Sequence, residues 1–206
     1  MKYPVTHFKS LDVALKELEP FVRNGKHLES GKPFNRFGGM RSREVLANWL
    51  LCAAINAASG SQLTFCGSSD PIAGDGVIYD TGSGETWPTE HVMVPRLRAG
   101  QTGDAHTLIL KAIEKKRRKG GPAYASGKML IVFLDAGAGK WFPNRVARQL
   151  PKPLHFATVW VVGLQGVHAG EYVYGVTHLD LSGGNAPTLL VRIRRDFSGW
   201  EVKRTQ

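Results

Sequence analysis

Two carboxylate residues stand between positions 74 and 94, where the surrounding residues otherwise favour a sheet interior. Asp75 belongs to the sequence Gly-Asp-Gly-Val-Ile-Tyr-Asp (74–80), and Glu90 to Thr-Glu-His-Val-Met-Val (89–94). A buried carboxylate is tolerated mainly when it is paired, hydrogen-bonded or bound to a metal. Magnesium prefers oxygen ligands and needs few protein carboxylates, because it keeps several waters. The pair therefore predicts a divalent-cation site, for Mg²⁺ or Mn²⁺, on a β-hairpin spanning residues 74 to 96.

The elements that position this pair are predicted from hydrophobic periodicity and from helix and turn signals. Helices are predicted to end at 23 and to span 43–58, 104–119 and 143–150, and strands are predicted over 62–66, 128–134, 156–164, 171–179 and 188–194. The segment 26–39 has the composition of a loop that orders on a ligand. A strand, a helix and another strand in succession imply a parallel crossover. The sequence predicts one α/β domain over 1–206.

Charge and composition limit the classes of function. The chain has 206 residues, and its 27 Lys and Arg against 17 Asp and Glu give a formal net charge of +10, which favours polyanionic partners over acidic ones. A soluble protein that is merely basic is the alternative. Two cysteines are too few for a disulfide framework. The N-terminus lacks an apolar signal core and no apolar run is long enough to span a bilayer, so we expect a cytoplasmic protein with no membrane partner.

The order of the elements resembles the core of the PD-(D/E)XK restriction-endonuclease-like superfamily over residues 40–165, with the N-terminal helix and the last strands as additions. The resemblance implies a central mixed sheet flanked by helices. In that superfamily an Asp on one hairpin strand and a Glu on the next bind magnesium, while a Lys two residues after the Glu orients or polarises the attacking water. Asp75 matches the Asp and Glu90 the Glu, and the carbonyl of His91 would be a further metal ligand. The position of the motif lysine holds Val92.

Some members of the superfamily supply the amine from the helix after the hairpin. Lys116 follows Ile109 and Ile113 at helical spacing, so it continues the apolar stripe and is predicted to point towards the hairpin. Lys115 is the second candidate. A solvated basic helix end, favoured by the macrodipole, is the competing interpretation. Glu44, at the start of the second helix, matches an acidic residue that many members contribute, although the first helical turn favours acidic residues on electrostatic grounds alone.

These observations favour a metal-dependent endonuclease that hydrolyses phosphodiester bonds, with DNA as the expected nucleic acid. The arginines predicted to contact phosphates are Arg41, Arg43, Arg96, Arg98, Arg117 and Arg118. Two alternatives stay open: a catalytically inactive nucleic-acid-binding or accessory protein on the same scaffold, which Val92 favours, and a basic module that binds a protein partner. A homodimer is compatible with each of them.

Overall fold

Eight strands form one mixed sheet with helices packed on it, in a computed structural model that describes residues 8–30, 33–67, 74–96, 104–135 and 139–206. The α-helices are α1 (Leu11–Arg23), α2 (Lys26–Ser30), α3 (Ser42–Ser59), α4 (Ala105–Ala125) and α5 (Pro143–Arg148). The strands are β1 (Leu63–Cys66), β2 (Gly76–Asp80), β3 (Thr86–Val94), β4 (Met129–Leu134), β5 (Thr158–His168), β6 (Glu171–His178), β7 (Thr188–Ile193) and β8 (Trp200–Arg204). The predicted α/β class, with a mixed sheet flanked by helices, is confirmed.

The strands lie in the sheet in the order in which they occur in the chain. The central strands β3, β4 and β5 run parallel, and every other neighbouring pair is antiparallel. Helix α4 connects β3 to β4, and α5 connects β4 to β5. The parallel crossover expected from strand, helix and strand is therefore present. The register places Glu90 opposite Leu130, so the predicted acidic residue lies at the centre of the sheet.

Each face of the sheet packs against a different helix because side chains alternate along the strands. Helix α3 is apolar from Val45 to Ala54 except at Asn48 and is buried against one face, where Ile131 and Phe133 point. The indole Nε1 of Trp49 in α3 donates a hydrogen bond to the carbonyl of Leu11 at 2.8 Å, which joins α1 to this layer. Helices α4 and α5 cover the opposite face, where Leu130, Val132 and Leu134 of β4 contact them.

The structure departs from the sequence predictions at three places. The predicted loop 26–39 contains α2 and a 3₁₀ turn at Asn35–Phe37. Helix α4 does not stop at position 119 but continues to Ala125 across a break at Gly121, whose φ of 59° and ψ of −154° are not helical. Strand β8 was not predicted.

In the parts of the chain that the structure describes, no helix has both the length and the apolar character needed to cross a membrane.

Candidate active site

The hairpin of β2 and β3 opens at the position of the two predicted carboxylates. Strand pairing between β2 and β3 ends at Gly76 and Thr89, and the N–H of Asp75 donates to the carbonyl of Thr89 at 2.9 Å. Beyond this point, Glu90 to Val94 pair only with β4 among the described strands. Where pairing with β2 has ended, the Asp75 side chain bonds to the backbone of β3 instead, because its Oδ2 accepts a hydrogen bond from the His91 N–H at 2.8 Å. Asp75 is thereby fixed beside the residue that follows Glu90.

A glycine leaves space between the two carboxylate-bearing segments. Gly74 has a φ of +88°, and a Cβ built on it would lie 2.5 Å from the carbonyl oxygen of Thr89 and 3.4 Å from Oε2 of Glu90. Residues other than glycine rarely adopt this backbone conformation, and the first of these distances is too short for any side chain. Glycine at position 74 therefore allows the segment before Asp75 to approach Glu90 closely.

Glu90 is almost fully buried and is paired with the amine predicted from the following helix. The residue is 3% exposed, and the Nζ of Lys116 donates a very short hydrogen bond to its Oε1. Lys116 lies on the same face of α4 as Ile109 and Ile113, which are buried against the sheet. Lys116 contacts Oε1, and the other carboxylate oxygen of Glu90, Oε2, faces Gly74. The structure thus brings Glu90 and Lys116 together, while the catalytic role of Lys116 stays a prediction.

The side chain of His91 lies beside Asp75, on the face of β3 opposite to that of Glu90. Its side chain is 4% exposed, and its Nδ1 lies 3.7 Å from Oδ2 of Asp75. Burial acts to raise the pKa of Asp75, but the contacts with His91 outweigh it and, with a smaller contribution from Lys116, hold that pKa well below its usual range. Asp75 is therefore an anion at neutral pH.

A cavity of about 1080 Å³ opens over these residues. The loop before α3, the start of α3, the hairpin and the last regular turns of α4 all contribute to its walls. The charged residues that line it are Arg41, Arg43, Lys115, Lys116, Arg118 and Lys119, with Glu44, Asp75 and Glu90. Six cationic side chains against three carboxylates make the cavity net positive. The acidic pair therefore lies in a cavity lined mainly by cationic side chains, an arrangement suited to an anionic ligand.

The N-terminus of α3 forms one basic wall of the cavity. Glu44, which is 7% exposed, accepts a hydrogen bond from the Arg41 N–H at 2.9 Å through Oε2 and so caps the helix. Its Oε1 lies 3.8 Å from Nε of Arg41. Burial and the neighbouring Arg41 lower the pKa of Arg43, while Glu44 and Asp75 partly offset them. Both guanidinium groups line the cavity, where together they favour an anionic ligand. Glu44 lines the cavity, but its direct contacts are those of a helix cap.

Two of the predicted phosphate-binding arginines lie away from the cavity, and a third is outside the described residues. Arg117 donates two hydrogen bonds to Glu114, at 2.7 and 2.8 Å, and does not line the cavity. Arg96 follows the end of β3, where its N–H donates to Oδ2 of Asp135 at 3.2 Å, and it too is absent from the lining. Arg98 falls outside the described residues. Arg41, Arg43 and Arg118 remain at the cavity, together with Lys115 and Lys119, which are exposed on α4.

Tyr124 is a neighbour of the site that the sequence did not reveal. Burial raises its pKa far above the ordinary value, and the nearby carboxylate of Glu90 adds to the effect. The Nζ of Lys128, a residue only 6% exposed, lies 4.3 Å from the centroid of the Tyr124 ring. The short helical segment after the break at Gly121 carries the tyrosine back to the sheet. A residue placed by such a break cannot be found from helical periodicity.

Buried polar groups lie beneath the hairpin. The side chain of Asn48 in α3 and the hydroxyl of Thr89 in β3 are fully buried and have no hydrogen-bond partner among the described residues. A Cβ on Gly76 would lie 2.7 Å from Nδ2 of Asn48 and 3.1 Å from Oγ1 of Thr89. These groups therefore meet at Gly76, one residue after Asp75. Asn48 is the only polar residue between Val45 and Ala54 in α3, and this is the signal that points to it.

The side chains able to hold a divalent cation here are those of Asp75 and Glu90. Both offer carboxylate oxygens, and Oε2 of Glu90 is not the oxygen that Lys116 contacts. Two carboxylates are a sufficient protein contribution for magnesium, which retains several waters. Within the described ranges, no group of three or more His, Cys, Asp and Glu residues is placed to hold a metal ion. The donor set that these side chains offer is thus a pair of carboxylates.

Comparison with known proteins does not extend this description. No family model matches the chain, and neither the curated proteins nor the solved structures contain a match to it. The class of protein is defined by its own fold and site: an α/β protein with a mixed sheet and a buried acidic site within a basic cavity.

Proposed function

We propose that this protein is a metal-dependent nuclease that hydrolyses phosphodiester bonds, with Asp75, Glu90 and Lys116 at its centre. The observation that carries the proposal is the contact of Lys116 with buried Glu90, beside an ionised Asp75, on the floor of a net-positive cavity. The contact supports the PD-(D/E)XK-like interpretation, since it supplies from α4 the amine that Val92 cannot. The restriction-endonuclease-like core is part of the same proposal.

Each residue has a distinct role in the proposed reaction. Asp75 and Glu90, with the His91 carbonyl, would hold Mg²⁺ or Mn²⁺, which supplies charge neutralisation and a more acidic water. Lys116 would stabilise the attacking oxygen and the negative charge that develops on the phosphate, a contribution on the order of 3 kcal/mol. His91 would keep the Asp75 carboxylate in place through its N–H. Lys115 and Glu44 line the cavity and would act at its edges.

DNA is the proposed substrate because the walls of the cavity carry cations suited to a phosphate backbone. Arg41 and Arg43 lie on one wall and Lys115, Arg118 and Lys119 on the other. Contacts of this kind give affinity with little sequence information and with strong salt dependence. A homodimer and a cytoplasmic location belong to the same proposal.

A second candidate function is nucleic-acid binding without cleavage on the same scaffold. The observation that favours it is that Lys116 already neutralises Glu90 through a direct contact, while Val92 occupies the usual lysine position. A salt bridge of this kind also occurs as a purely structural contact, without a catalytic role. Binding would then depend on the cationic walls and not on Asp75.

Cleavage assays with mixed DNA substrates in Mg²⁺ or Mn²⁺ separate the two functions. We expect Asp75→Ala, Glu90→Ala and Lys116→Ala each to abolish or greatly reduce cleavage. Glu85→Ala in the exposed hairpin turn and Lys111→Ala on the exposed side of α4 are matched controls and should cleave as the wild type does. The nuclease proposal is wrong if the wild type cuts nothing with either ion, or if all variants are equally active. Salt-sensitive DNA binding that survives Asp75→Ala and ignores Mg²⁺ would establish the second candidate instead.

A further inference from the structure

The lining of the cavity over Glu90 continues around β3 to the other face of the sheet. Side chains alternate along a strand, so Val92 packs against the apolar cluster that includes α4, whereas Met93 packs against the cluster that includes α3. Both residues line the same cavity. Strand β2 pairs with β3 only as far as Thr89, which leaves the two parts of the cavity joined around the strand edge. The cavity therefore has a charged part on the α4 face and a second part on the α3 face.

The second part of the cavity is an uncharged recess. Its floor consists of three apolar side chains, those of Met40, Met93 and Phe133. Its rim consists of exposed residues of the loop before α3, which are Pro33, Gly38 and Gly39. The Phe34 N–H donates a hydrogen bond to the carbonyl of Met40 at 2.7 Å and so closes this loop. A recess of this composition suits a flat, largely apolar group better than a phosphate.

The edge of β3 adds backbone hydrogen-bonding groups to the recess. The His91 N–H points away from β4, since it donates to Asp75, whereas the carbonyl of Val94 points towards β4, since it accepts from the Asp135 N–H. Backbone groups alternate in direction along a strand, so the N–H and the carbonyl of Met93 also point away from β4. No strand among the described residues pairs with them. The recess thus combines an apolar floor with a backbone donor and a backbone acceptor.

We infer that this recess receives one nucleobase of the DNA strand to be cut, turned out of the base stack. The inference rests on the proposed function, because it takes from it the position of the phosphate at Asp75 and Glu90. Met93 lies two residues along β3 from His91, which Asp75 contacts, and this is roughly 7 Å, a distance that the sugar and base of one nucleotide cover. Proteins that extract a base hold it between apolar side chains and bond to its pairing edge. The recess offers both kinds of contact.

The same edge suits an added peptide strand less well. Strand addition uses a row of free backbone groups, and on this side of β3 those groups belong to alternate residues. The His91 N–H is already bonded to Asp75, and Pro95 has no N–H. Met93 is thus the residue that offers both a donor and an acceptor, which matches one base edge and not an extended chain.

Fluorescence of 2-aminopurine, placed at successive interior positions of a DNA duplex, tests this inference, because stacking quenches this base analogue and removal from the stack restores its emission. We expect the wild type to raise the fluorescence on binding, in EDTA and by stopped flow in Mg²⁺. Met93→Trp puts an indole where the base would lie, so it should abolish the rise, while anisotropy should show that the duplex still binds through the cationic walls.

Met129→Trp is the matched control. Met129 is also a partly buried methionine that packs on the cluster including α3, but it does not line the cavity, so this variant should keep the rise. Urea unfolding verifies that both variants fold. If Met93→Trp does not fold, Met93→Phe and Met129→Phe replace the pair.

The outcomes distinguish this inference from the proposed function. A wild type that binds the duplex without a rise at any position overturns the inference, and the nuclease proposal survives if that protein cuts the duplex. An equal rise in the wild type and in the Met93 variant also overturns the inference, because the base would then lie elsewhere. A rise that only the Met93 variant loses supports it, and if no cleavage accompanies that rise with either ion, the nuclease proposal alone is wrong. A wild type that binds no duplex at low salt overturns both.

Discussion

At the scale of single residues, the pairing of Glu90 with Lys116 is the interaction on which the site depends. Both side chains are largely removed from water, with exposed fractions of 4% and 15%. A buried ion pair adds little net stability, because the cost of desolvating two charges is close to their attraction, whereas removal of one partner leaves an uncompensated charge. The pair is therefore more informative as a test of the site than as a source of stability.

Lys116→Met is predicted to lower the free energy of unfolding by about 3 kcal/mol or more at neutral pH, because it strands the Glu90 carboxylate in the interior. The double variant Glu90→Gln with Lys116→Met should recover much of that loss, since no buried charge remains. Urea unfolding of the wild type, both single variants and the double variant measures the coupling. Additive effects of the two substitutions would contradict a direct pair in solution.

At the scale of elements, the sequence predicted the helices and strands that have strong hydrophobic periodicity and missed short elements that lie among turns. Helix α3 and strand β4 are long apolar runs, so their type and approximate bounds followed from the pattern. Strand β8 has only five residues, and only Trp200 and Val202 pack against the core. Helix α2 has five residues and lies in a segment rich in turn signals. Short elements of this kind owe their structure to tertiary packing, which local pattern does not encode.

The same distinction holds for the candidate site. Asp75 and Glu90 were found because a carboxylate in an apolar strand is anomalous, and Lys116 because it continues an apolar stripe. Tyr124 was not found, since it reaches Glu90 only through the break at Gly121. The sequence also could not separate Arg118, which lines the cavity, from its neighbour Arg117, which does not, although both donate hydrogen bonds to Glu114. Adjacent helical residues face different directions, so only one of the two lies at the cavity.

The contact between the hairpin and α3 gives a prediction at this scale. Gly76→Ala is expected to lower the free energy of unfolding by about 1–3 kcal/mol, because the new Cβ would lie 2.7 Å from the buried amide of Asn48 and would push β2 away from α3. In the cleavage assay the variant should also lose activity, since Asp75 precedes Gly76. Denaturant unfolding and the cleavage assay measure the two effects.

Gly82→Ala is the matched control for this substitution. It lies in the turn of the same hairpin, its φ is not in the left-handed region, and a Cβ there would meet its nearest neighbour, Oδ1 of Asp80, at an ordinary 3.4 Å. We expect its stability to change by no more than about 0.5 kcal/mol, the usual range for surface substitutions. Equal effects of the two substitutions would mean that the close approach of hairpin and helix does not determine the stability of this region.

At the scale of the whole molecule, the net charge of +10 favours polyanionic ligands in general but does not locate a binding site. The cavity walls concentrate cations around the carboxylate pair, whereas other basic residues, such as Lys203 and Arg204 on β8, lie on the edge strand of the sheet and do not line that cavity. If DNA binds through the cavity, the position of a removed charge matters more than the number of charges removed.

The salt dependence of DNA binding tests this point. Counterion release makes the logarithm of the binding constant fall linearly with the logarithm of salt concentration, with a slope set by the number of phosphates contacted. The double variant Lys115→Ala with Lys119→Ala should reduce the steepness of that slope by about 1 for each lysine that contacts a phosphate. Lys203→Ala with Arg204→Ala removes the same charge from β8 and should leave the slope unchanged. Titrations of duplex DNA at several salt concentrations provide the measurement, and equal changes in the two double variants would show that net charge alone, and not the cavity, governs binding.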